Sequence, residues 1–366
     1  MKSAKKRRKK SPSRHITIKD IARRAGVSVA AVSRGLRDDP GIGEATRKRV
    51  KDIAAKMSYT PSRWGAALSS GRTRCVLFIV PYDASEIPQS NLLYIQVLEG
   101  AAEKLATVGY SVEVILEKSL KSRNQSILDA ITGARVDGAI IVCMNVDDHL
   151  SKFKKFPVPV VVVNQVFKSK TIDFVVADDR HGAFLATEHL IKAGHTEIAQ
   201  IGGRLQFYGS RERRAGYVDA LKAHGIPFDP KRTRESFYTM QDGHDAVESL
   251  LRSGVRFSAI FSSGDILSAG IIAALREHNL RAPEDISIAS FDDEVLASTI
   301  SPPLTSVRKP RHEMGKAAAA MLLDRIQFHR PGKGRIMEIK TILIERESVA
   351  PLGHAKRPRY ANISSE

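Results

Sequence analysis

The stretch TIKDIARRAGVSVAAVSRGL, residues 17–36, decides the fold of the N-terminal part of this 366-residue chain. Thr17 can cap a helix, because an acidic residue follows three positions later and apolar residues then recur at helical spacing. Gly26 supplies the break, since a tight turn favours a residue that tolerates positive φ. Ser28 can then cap a second helix, which the spacing predicts over Val29–Arg37. The stretch therefore predicts two short helices joined by a glycine-containing turn.

A third helix completes this unit. The pattern predicts it from about Glu44 to Met57, with Val50 and Ala54 on one apolar face. Two short helices, a glycine-containing turn and a supporting helix are typical of a helix-turn-helix domain, here over residues 16–61. Three short helices also pack together in ordinary globular domains, so the distribution of charge has to decide between the two.

The charge is concentrated at the N-terminus. The whole chain has a net charge of +18. Residues 1–70 hold 19 Lys and Arg against 5 Asp and Glu, whereas the other 296 residues hold 39 Lys and Arg against 35 Asp and Glu. A basic head on a nearly balanced body indicates a polyanionic partner that only the head touches. Residues 1–15 lack the apolar run of a signal peptide and are predicted to be a flexible basic arm.

The second helix offers side chains for reading bases. In a helix-turn-helix domain the N-terminal part of this helix enters the major groove. Arg34 can form a bidentate pair with guanine, which is worth about 1–3 kcal/mol of discrimination. Val29 and Ala30 can make only apolar contacts, for instance with thymine methyl groups. The hydroxyl groups near the helix starts are better placed for phosphates; they belong to Thr17, Ser28 and Ser33.

From residue 72 onward, Val/Ile-rich strands alternate with amphipathic helices. This rhythm predicts parallel sheets covered on both faces, arranged as two doubly wound lobes around a cleft over residues 72–350. Residues 351–366 are expected to form a C-terminal tail. No apolar run approaches 18 residues, so no membrane partner is predicted. Cys75 and Cys143 lie in apolar runs and are expected to be buried, reduced thiols in a cytoplasmic protein.

Three charged residues lie where ligands of such sheets bind. Asp265 follows the strand SAIFSS, Asp292 follows the strand ISIASF, and Arg213 opens the helix after IAQIGG. Two carboxylates and an arginine suit a hydroxyl-rich or partly anionic ligand. Asp265 can instead simply cap its helix, and Asp292 with Asp293 can form an ordinary polar turn. His195 is expected to end a helix for structural reasons.

An enzyme of this fold is the competing class. The sequence contains no GxxxxGK[ST] phosphate loop, no HExxH pair, no GxSxG elbow and no Cys/His cluster with zinc spacing. We therefore predict a protein without catalytic residues, metal or cofactor. A constitutive architectural DNA-binding protein is a further alternative, which would not need an effector cleft.

The motifs resemble those of a known family. Residues 17–36, with EATRKRV at 44–50 and SYTPS at 58–62, are similar to the lactose/galactose repressor family of bacterial transcription regulators. The body, for example GAFLATEHLIKAGHTEIAQIGG at 182–203, is similar to the family's domain of periplasmic sugar-binding type. The resemblance implies a homodimer, in some members a tetramer, that binds a palindromic double-stranded DNA operator and answers to a small effector.

The resemblance also implies a switch between head and body. The equivalent of residues 62–71 folds as a hinge helix on DNA, and Leu68 holds the position of a leucine that enters the minor groove and kinks the duplex. For the dimer, the predicted helix Glu313–Ile326 is a candidate surface because its alanines permit close approach. The chain is expected to cross between the lobes near residues 164–174, 303–306 and 330–338.

Effector contacts follow from the same resemblance. Asn164 and Gln165 are placed at the first crossing, and they replace a common Asp-Arg pair. The resemblance favours a sugar or sugar acid as effector, but this replacement weakens the case for a plain sugar, so a sugar acid, a phosphorylated sugar and a nucleobase stay open. The residues matched to effector contacts are Tyr82, Asn91, Tyr94, Asp178, Arg213, Tyr238, Asp265 and Asp292.

Overall fold

The computed structural model describes residues 16–59, 72–81, 93–117, 129, 131–133, 136–142, 156–169, 171–328 and 333–353. The chain divides into two units, Met1–Thr73 and Arg74–Glu366. Four residues singled out in the sequence lie outside the described residues, namely Leu68, Tyr82, Asn91 and Cys143.

The described part of the first unit is a three-helix head. Its helices are α1 Ile18–Ala25, α2 Val29–Leu36 and α3 Glu44–Lys56. The Thr17 amide and hydroxyl both donate to Asp20 Oδ2, over 2.9 and 2.7 Å, and Ser28 Oγ accepts from the Ala31 amide over 3.1 Å. Gly26 ends α1 in the left-handed region with φ 66°, as the turn required. The predicted caps and turn are confirmed.

The second unit contains two lobes, each built on one sheet. The described strands are β1 Cys75–Pro81, β2 Ser111–Glu117, β3 Gly138–Val142, β4 Val160–Val163, β5 Asp173–Ala177, β6 Ile198–Gly203, β7 Thr233–Ser236, β8 Ala259–Ser262, β9 Ser287–Asp292, β10 Thr305–Arg308, β11 Ile336–Ile339 and β12 Ile342–Ile344. The described helices are α4 Leu93–Ala106, α5 Asp179–Lys192, α6 Tyr208–Ala223, α7 Met240–Arg252, α8 Asp265–Glu277, α9 Val295–Thr299 and α10 Arg311–Phe328.

The strand orders confirm the predicted doubly wound lobes. The first sheet has the order β11-β5-β4-β3-β1-β2 and is parallel throughout. The second has the order β12-β10-β9-β8-β6-β7, in which only β12 pairs antiparallel. The central strands β3, β4, β5 and β8 are buried at every position, as expected for sheets covered on both faces.

The lobe crossings differ from the prediction. Because β5 pairs with β4 and β11 in the first sheet, the first crossing lies between Ala177 and Asp179. Because β10 pairs with β9 as far as Arg308, and β11 belongs to the first sheet, the others fall at 308–311 and 339–342. The predicted positions 164–174, 303–306 and 330–338 are therefore wrong by a few residues, and Asn164 and Gln165 follow β4 within the first lobe.

One further expectation is corrected, and one is confirmed. Among the alanines of α10, Ala318 and Ala319 are fully buried in the first-lobe core while Ala320 is exposed, so the dimer surface on this helix stays a prediction. Cys75 is half-buried rather than buried. His195 is fully buried after α5, bonded to Ser258 Oγ over 2.9 Å and to the Ala350 carbonyl over 3.0 Å, which is the structural role expected of it.

Within the described ranges, no helix is long and apolar enough to cross a membrane.

Candidate functional site

The helix α2 of the head has one buried and one exposed face. Val32 and Gly35 are buried towards the core of the head, with a Cβ at Gly35 placed only 3.5 Å from Val50. On the other face Val29, Ala30 and Arg34 are exposed to solvent. An exposed guanidinium beside two small apolar side chains is a surface that can read base edges.

The hydroxyl groups that are expected to contact phosphates differ in whether their proton is free to be donated. The Thr17 hydroxyl donates to Asp20, so its proton is already engaged within the head. Ser28 Oγ accepts from the Ala31 amide and can still donate its proton outwards. Ser33 is half-buried on the same helix. Of these three residues, Ser28 has the geometry that best suits a phosphate oxygen.

The second unit contains a cavity between its lobes. The first lobe contributes a wall that is mostly apolar, with Tyr94 and Val97 from α4, Val142 and Val163 from strand ends, and Met314 from α10. The second lobe contributes most of the charged floor, at the carboxyl ends of β8 and β9, where ligands of parallel sheets bind. The floor side chains that line the cavity include Arg213, Asp265, Asp292, Glu294 and Lys309.

Arg213 is the centre of the floor. It lies in the second turn of α6 rather than at its start, and it is almost fully buried. Its Nε donates to Asp179 Oδ1 over 2.9 Å, its Nη1 to the Ser263 carbonyl, and its Nη2 to Asp292 Oδ1 over 3.4 Å. Burial acts to lower the pKa of Arg213, but Asp179 and Asp292 outweigh burial and raise it. The guanidinium is therefore permanently charged and fixed in place.

Asp292 ends β9 in the left-handed region, with φ 105°, which is a strained conformation for a residue with a side chain. Its Oδ1 accepts from Arg213 and also pairs with Arg311 Nη2 at 2.9 Å. Burial acts to raise the pKa of Asp292, and the surrounding cations Arg213, Arg311 and Lys309 lower it. Oδ2 has no hydrogen bond from any described residue, so it is an acceptor that a ligand can use.

Asp265 is the first residue of α8, and Gly264 holds the capping position. The alternative that Asp265 simply caps its helix is therefore wrong. Its carboxylate instead accepts from Ser290 Oγ over 2.6 Å, Ser306 Oγ over 2.8 Å and the Glu294 amide over 2.7 Å. Burial, followed by repulsion from Asp292, raises the pKa of Asp265 to about 7. This carboxylate joins three segments of the floor, and its raised pKa favours the protonated form near neutral pH more than in an exposed aspartate.

The remaining matched residues divide into two groups. Tyr94 and Tyr238 line the cavity, and the Tyr238 hydroxyl lies 3.0 Å from Ser210 Oγ. Asp178 does not reach the cavity, because its Oδ1 caps α5 by accepting from the His181 amide over 2.9 Å. The neighbouring Asp179 is the residue that joins the floor, through Arg213.

Sequence reasoning missed the residues of the second crossing. Lys309 Nζ donates to Asn164 Oδ1 in the first lobe over 2.5 Å and lies 3.5 Å from Asp179 Oδ2 in the second. Burial is the main reason that the pKa of Lys309 falls to about 8. Arg311 pairs with Asp292 and Glu294. The signal was available in VRKPR, residues 307–311, once the crossing is placed there.

Each of the two units is similar to a known protein family. Residues 17–62 match the family described as "Bacterial regulatory proteins, lacI family", and residues 187–349 match the "Periplasmic binding protein-like domain". Catabolite control protein A of Priestia megaterium is 33% identical over 312 residues, which cover 84% of this chain and 92% of that protein.

Two further similarities span the whole architecture. The HTH-type transcriptional repressor PurR of Vibrio atlanticus (strain LGP32) is 29% identical over 92% of this chain and 99% of its own length. The crystal structure of the lac repressor dimer bound to operator and the anti-inducer ONPF superposes with a TM-score of 0.80 and 25% identity, covering 92% of this chain and 100% of that chain.

Proposed function

The chain belongs to the lacI family of bacterial regulatory proteins and is a DNA-binding transcriptional repressor with a ligand-binding body, and from this premise we propose that it binds a palindromic operator as a homodimer under the control of a small effector in the interlobe cavity. The observation that carries the proposal is Lys309, which contacts both lobes from the crossing beside that cavity. A ligand that shifts the residues of the cavity floor would therefore also change the arrangement of the two lobes.

At the operator, Arg34 reads a guanine, and Val29 and Ala30 contact the apolar edges of neighbouring bases. Thr17, Ser28 and Ser33 lie at the phosphates. Leu68, which lies outside the described residues, enters the minor groove from the hinge segment 62–71. One small head binds a half-site only modestly, and dimerisation supplies the affinity by linking two heads. A tetramer is the alternative assembly.

The effector is proposed to be a sugar or a sugar derivative. The cations of the floor are already paired, because Arg213 bonds Asp179 and Asp292 while Arg311 bonds Asp292 and Glu294. A donor group of the ligand, such as a hydroxyl, suits the remaining acceptor Asp292 Oδ2. The apolar wall of the first lobe suits the flat face of a ring. A sugar acid would instead have to displace one of the carboxylates that pair with the cations of the second crossing, Lys309 and Arg311.

A nucleobase is the second candidate, because its ring N–H groups are hydrogen-bond donors, as sugar hydroxyl groups are. In addition, this chain is similar to the repressor PurR over 99% of the length of PurR. In either case the effector shifts the lobes only by its different affinity for their two arrangements. The site needs no catalytic residue and no cofactor for this role, and the proposed location is the cytoplasm.

The experiment is a selection of operator sequences by the purified protein, followed by titration of the selected duplex. Arg34→Ala is expected to relax the preference at one base position by about 1–3 kcal/mol, or roughly 5- to 150-fold. Lys48→Ala is the matched control, since this exposed α3 cation is expected to weaken all sequences alike and to reduce the salt dependence. An unchanged sequence preference in Arg34→Ala would refute the base-reading assignment.

The effector class is tested by thermal unfolding with panels of neutral sugars, sugar acids and nucleobases. The expected result is a higher midpoint with one class, lost in Arg213→Met. Stabilisation by none of the three classes would favour the constitutive architectural DNA-binding protein instead.

A further inference from the structure

Two helices of the second lobe bring imidazole and carboxylate groups together at a surface that has no part in the proposed function. His244 and Glu248 are four residues apart in α7, so they lie on the same face of that helix. Glu277 is the last residue of α8. Ligand atoms of these three side chains all lie within 4.8 Å of one another.

A second imidazole lies beside this group, although it is not one of the three side chains whose ligand atoms are all within 4.8 Å of one another. His278 follows Glu277 at the end of α8, and its Nε2 lies 2.5 Å from Glu248 Oε1. His244 Nε2 lies 3.0 Å from Glu277 Oε2. Tetrahedral ligands at about 2.0–2.1 Å from a zinc ion are roughly 3.3 Å apart, so binding requires these side chains to rotate to that spacing. We propose that His244, Glu248, Glu277 and His278 bind one divalent transition-metal ion.

The surroundings of His244 support this assignment. Its other ring nitrogen, Nδ1, is buried without a hydrogen bond from the described residues, and Asp245 Oδ1 lies 3.5 Å away. In metal sites the ring nitrogen that does not bind the ion commonly faces a carboxylate, which orients the imidazole and increases its basicity. The site also lies at the C-terminal end of α8, where the aligned peptide dipoles favour a cation.

The frame that carries the ligands is fixed by close helix packing. A Cβ at Gly270 would lie 1.8 Å from the Met240 carbonyl and 2.9 Å from the His244 amide nitrogen. A Cβ at Gly243 would lie 2.2 Å from the Leu267 carbonyl. The backbones of α7 and α8 therefore touch beside the site, and the ligands start from fixed positions. His244 and Glu248 are half-buried and Glu277 is exposed, so an ion can enter from solvent.

The ligand set determines which ions fit. Two imidazole nitrogens and two carboxylate oxygens suit Zn²⁺, Co²⁺ or Ni²⁺, whereas Mg²⁺ and Ca²⁺ prefer oxygen ligands alone. None of the four residues lines the effector cavity. A bound ion would join α7 to α8 and stabilise the second lobe, because it binds the folded chain in preference to the unfolded one.

The test is a titration of the full-length, tag-free protein with Co²⁺, followed through its d–d absorption, with Zn²⁺ as the competitor. Wild type is expected to bind one equivalent, and His244→Ala to bind at least about 100-fold more weakly, since even the partners behind metal ligands contribute about 10–100-fold. His224→Ala is the matched control, because this imidazole also faces a glutamate, Glu188 Oε1 at 3.2 Å, and it is expected to bind like wild type.

A second variant separates lost binding from lost folding. Glu277→Gln keeps the shape of an exposed side chain, so in EDTA it is expected to unfold at the wild-type temperature. Zn²⁺ should raise the midpoint of wild type but not of this variant, and Mg²⁺ should raise neither. The proposal is overturned if wild type binds no Co²⁺, if His244→Ala binds as tightly as wild type, or if His224→Ala weakens binding equally.

Discussion

The two lobes bury an aspartate at similar depth in opposite electrostatic settings. In the first lobe, Asp173 at the start of β5 accepts from the guanidinium groups of Arg325 and Arg335, in each case with a shortest distance of 2.7 Å. In the second lobe, the described residues that donate to Asp265 are two serine hydroxyl groups and one backbone amide. Both side chains are about 1% exposed or less.

The partners decide the protonation of each group. Burial acts to raise the pKa of Asp173, but hydrogen bonds from Arg325 and Arg335 outweigh it and lower the pKa. Within the described ranges no cation bonds Asp265, and burial and the nearby Asp292 raise its pKa to about 7. The first carboxylate holds α10 and β11 to the sheet, whereas the second lies at the cavity floor and changes charge near neutral pH. The contrast separates a structural ion pair from a site that a ligand can influence.

The largest expected effect is the loss of the ion pairs in the first lobe. Asp173→Asn removes the negative charge that pairs with Arg325, whose side chain is only 10% exposed. Breaking a buried pair in this way costs about 3–5 kcal/mol. Urea unfolding at neutral pH measures the loss.

Asp219→Asn is the control for this variant. Asp219 pairs with Arg180 at 2.6 Å, but both side chains are more than one third exposed, so its removal should cost at most about 1 kcal/mol. Equal losses in the two variants would show that burial of the first-lobe pair makes no difference.

The second expected effect is a pH dependence of opposite sign in the two lobes. For Asp265 the folded pKa is raised, so its contribution to stability is present below the unfolded pKa of about 3.8 and is lost as pH rises through about 7. The difference in unfolding free energy between wild type and Asp265→Asn should therefore fall between about pH 4 and 7, by up to about 4 kcal/mol. Urea unfolding across that pH range measures it.

For Asp173 the folded pKa is lowered, so its contribution is present above the unfolded pKa and is lost as pH falls through the folded value. The difference between wild type and Asp173→Asn should accordingly shrink towards acid. Two profiles that change in the same direction would contradict the distinction between the lobes.

The sequence predicted the frame of both lobes but not this distinction. Helix caps, the Gly26 turn and the Val/Ile runs are local signals, and they were enough for the head and the doubly wound sheets. Because Arg213, Asp265 and Asp292 each follow a strand in the sequence, they could also be predicted to lie at one cavity. The partners of Asp265, however, come from β9 and β10, at separations of 25 and 41 residues, and no local pattern reveals which side chains meet across a sheet.

The same limit explains the residues that were missed. The short run TSVR, residues 305–308, reads as a connection, and only its pairing with β9 makes it a strand and moves the crossing to Lys309. Likewise, His244 and Glu277 are 33 residues apart and meet because α7 and α8 pack on their glycines. Spacing along the chain could not find either arrangement.

The smallest expected effect concerns the residue that joins the lobes. Lys309→Met removes the hydrogen bond to Asn164 Oδ1 but also removes the cost of burying an ammonium group, so the net loss of stability should be on the order of 1 kcal/mol. The larger consequence is local, because the second crossing loses its bond to the first lobe. Amide hydrogen exchange should accelerate at Arg308, Lys309 and Arg311 and stay unchanged in the buried strands β3 and β4. Unchanged exchange at this crossing would mean that Lys309 does not restrain the lobes, and control of the cavity would then have to rest on the pairs of Arg311 with Asp292 and Glu294.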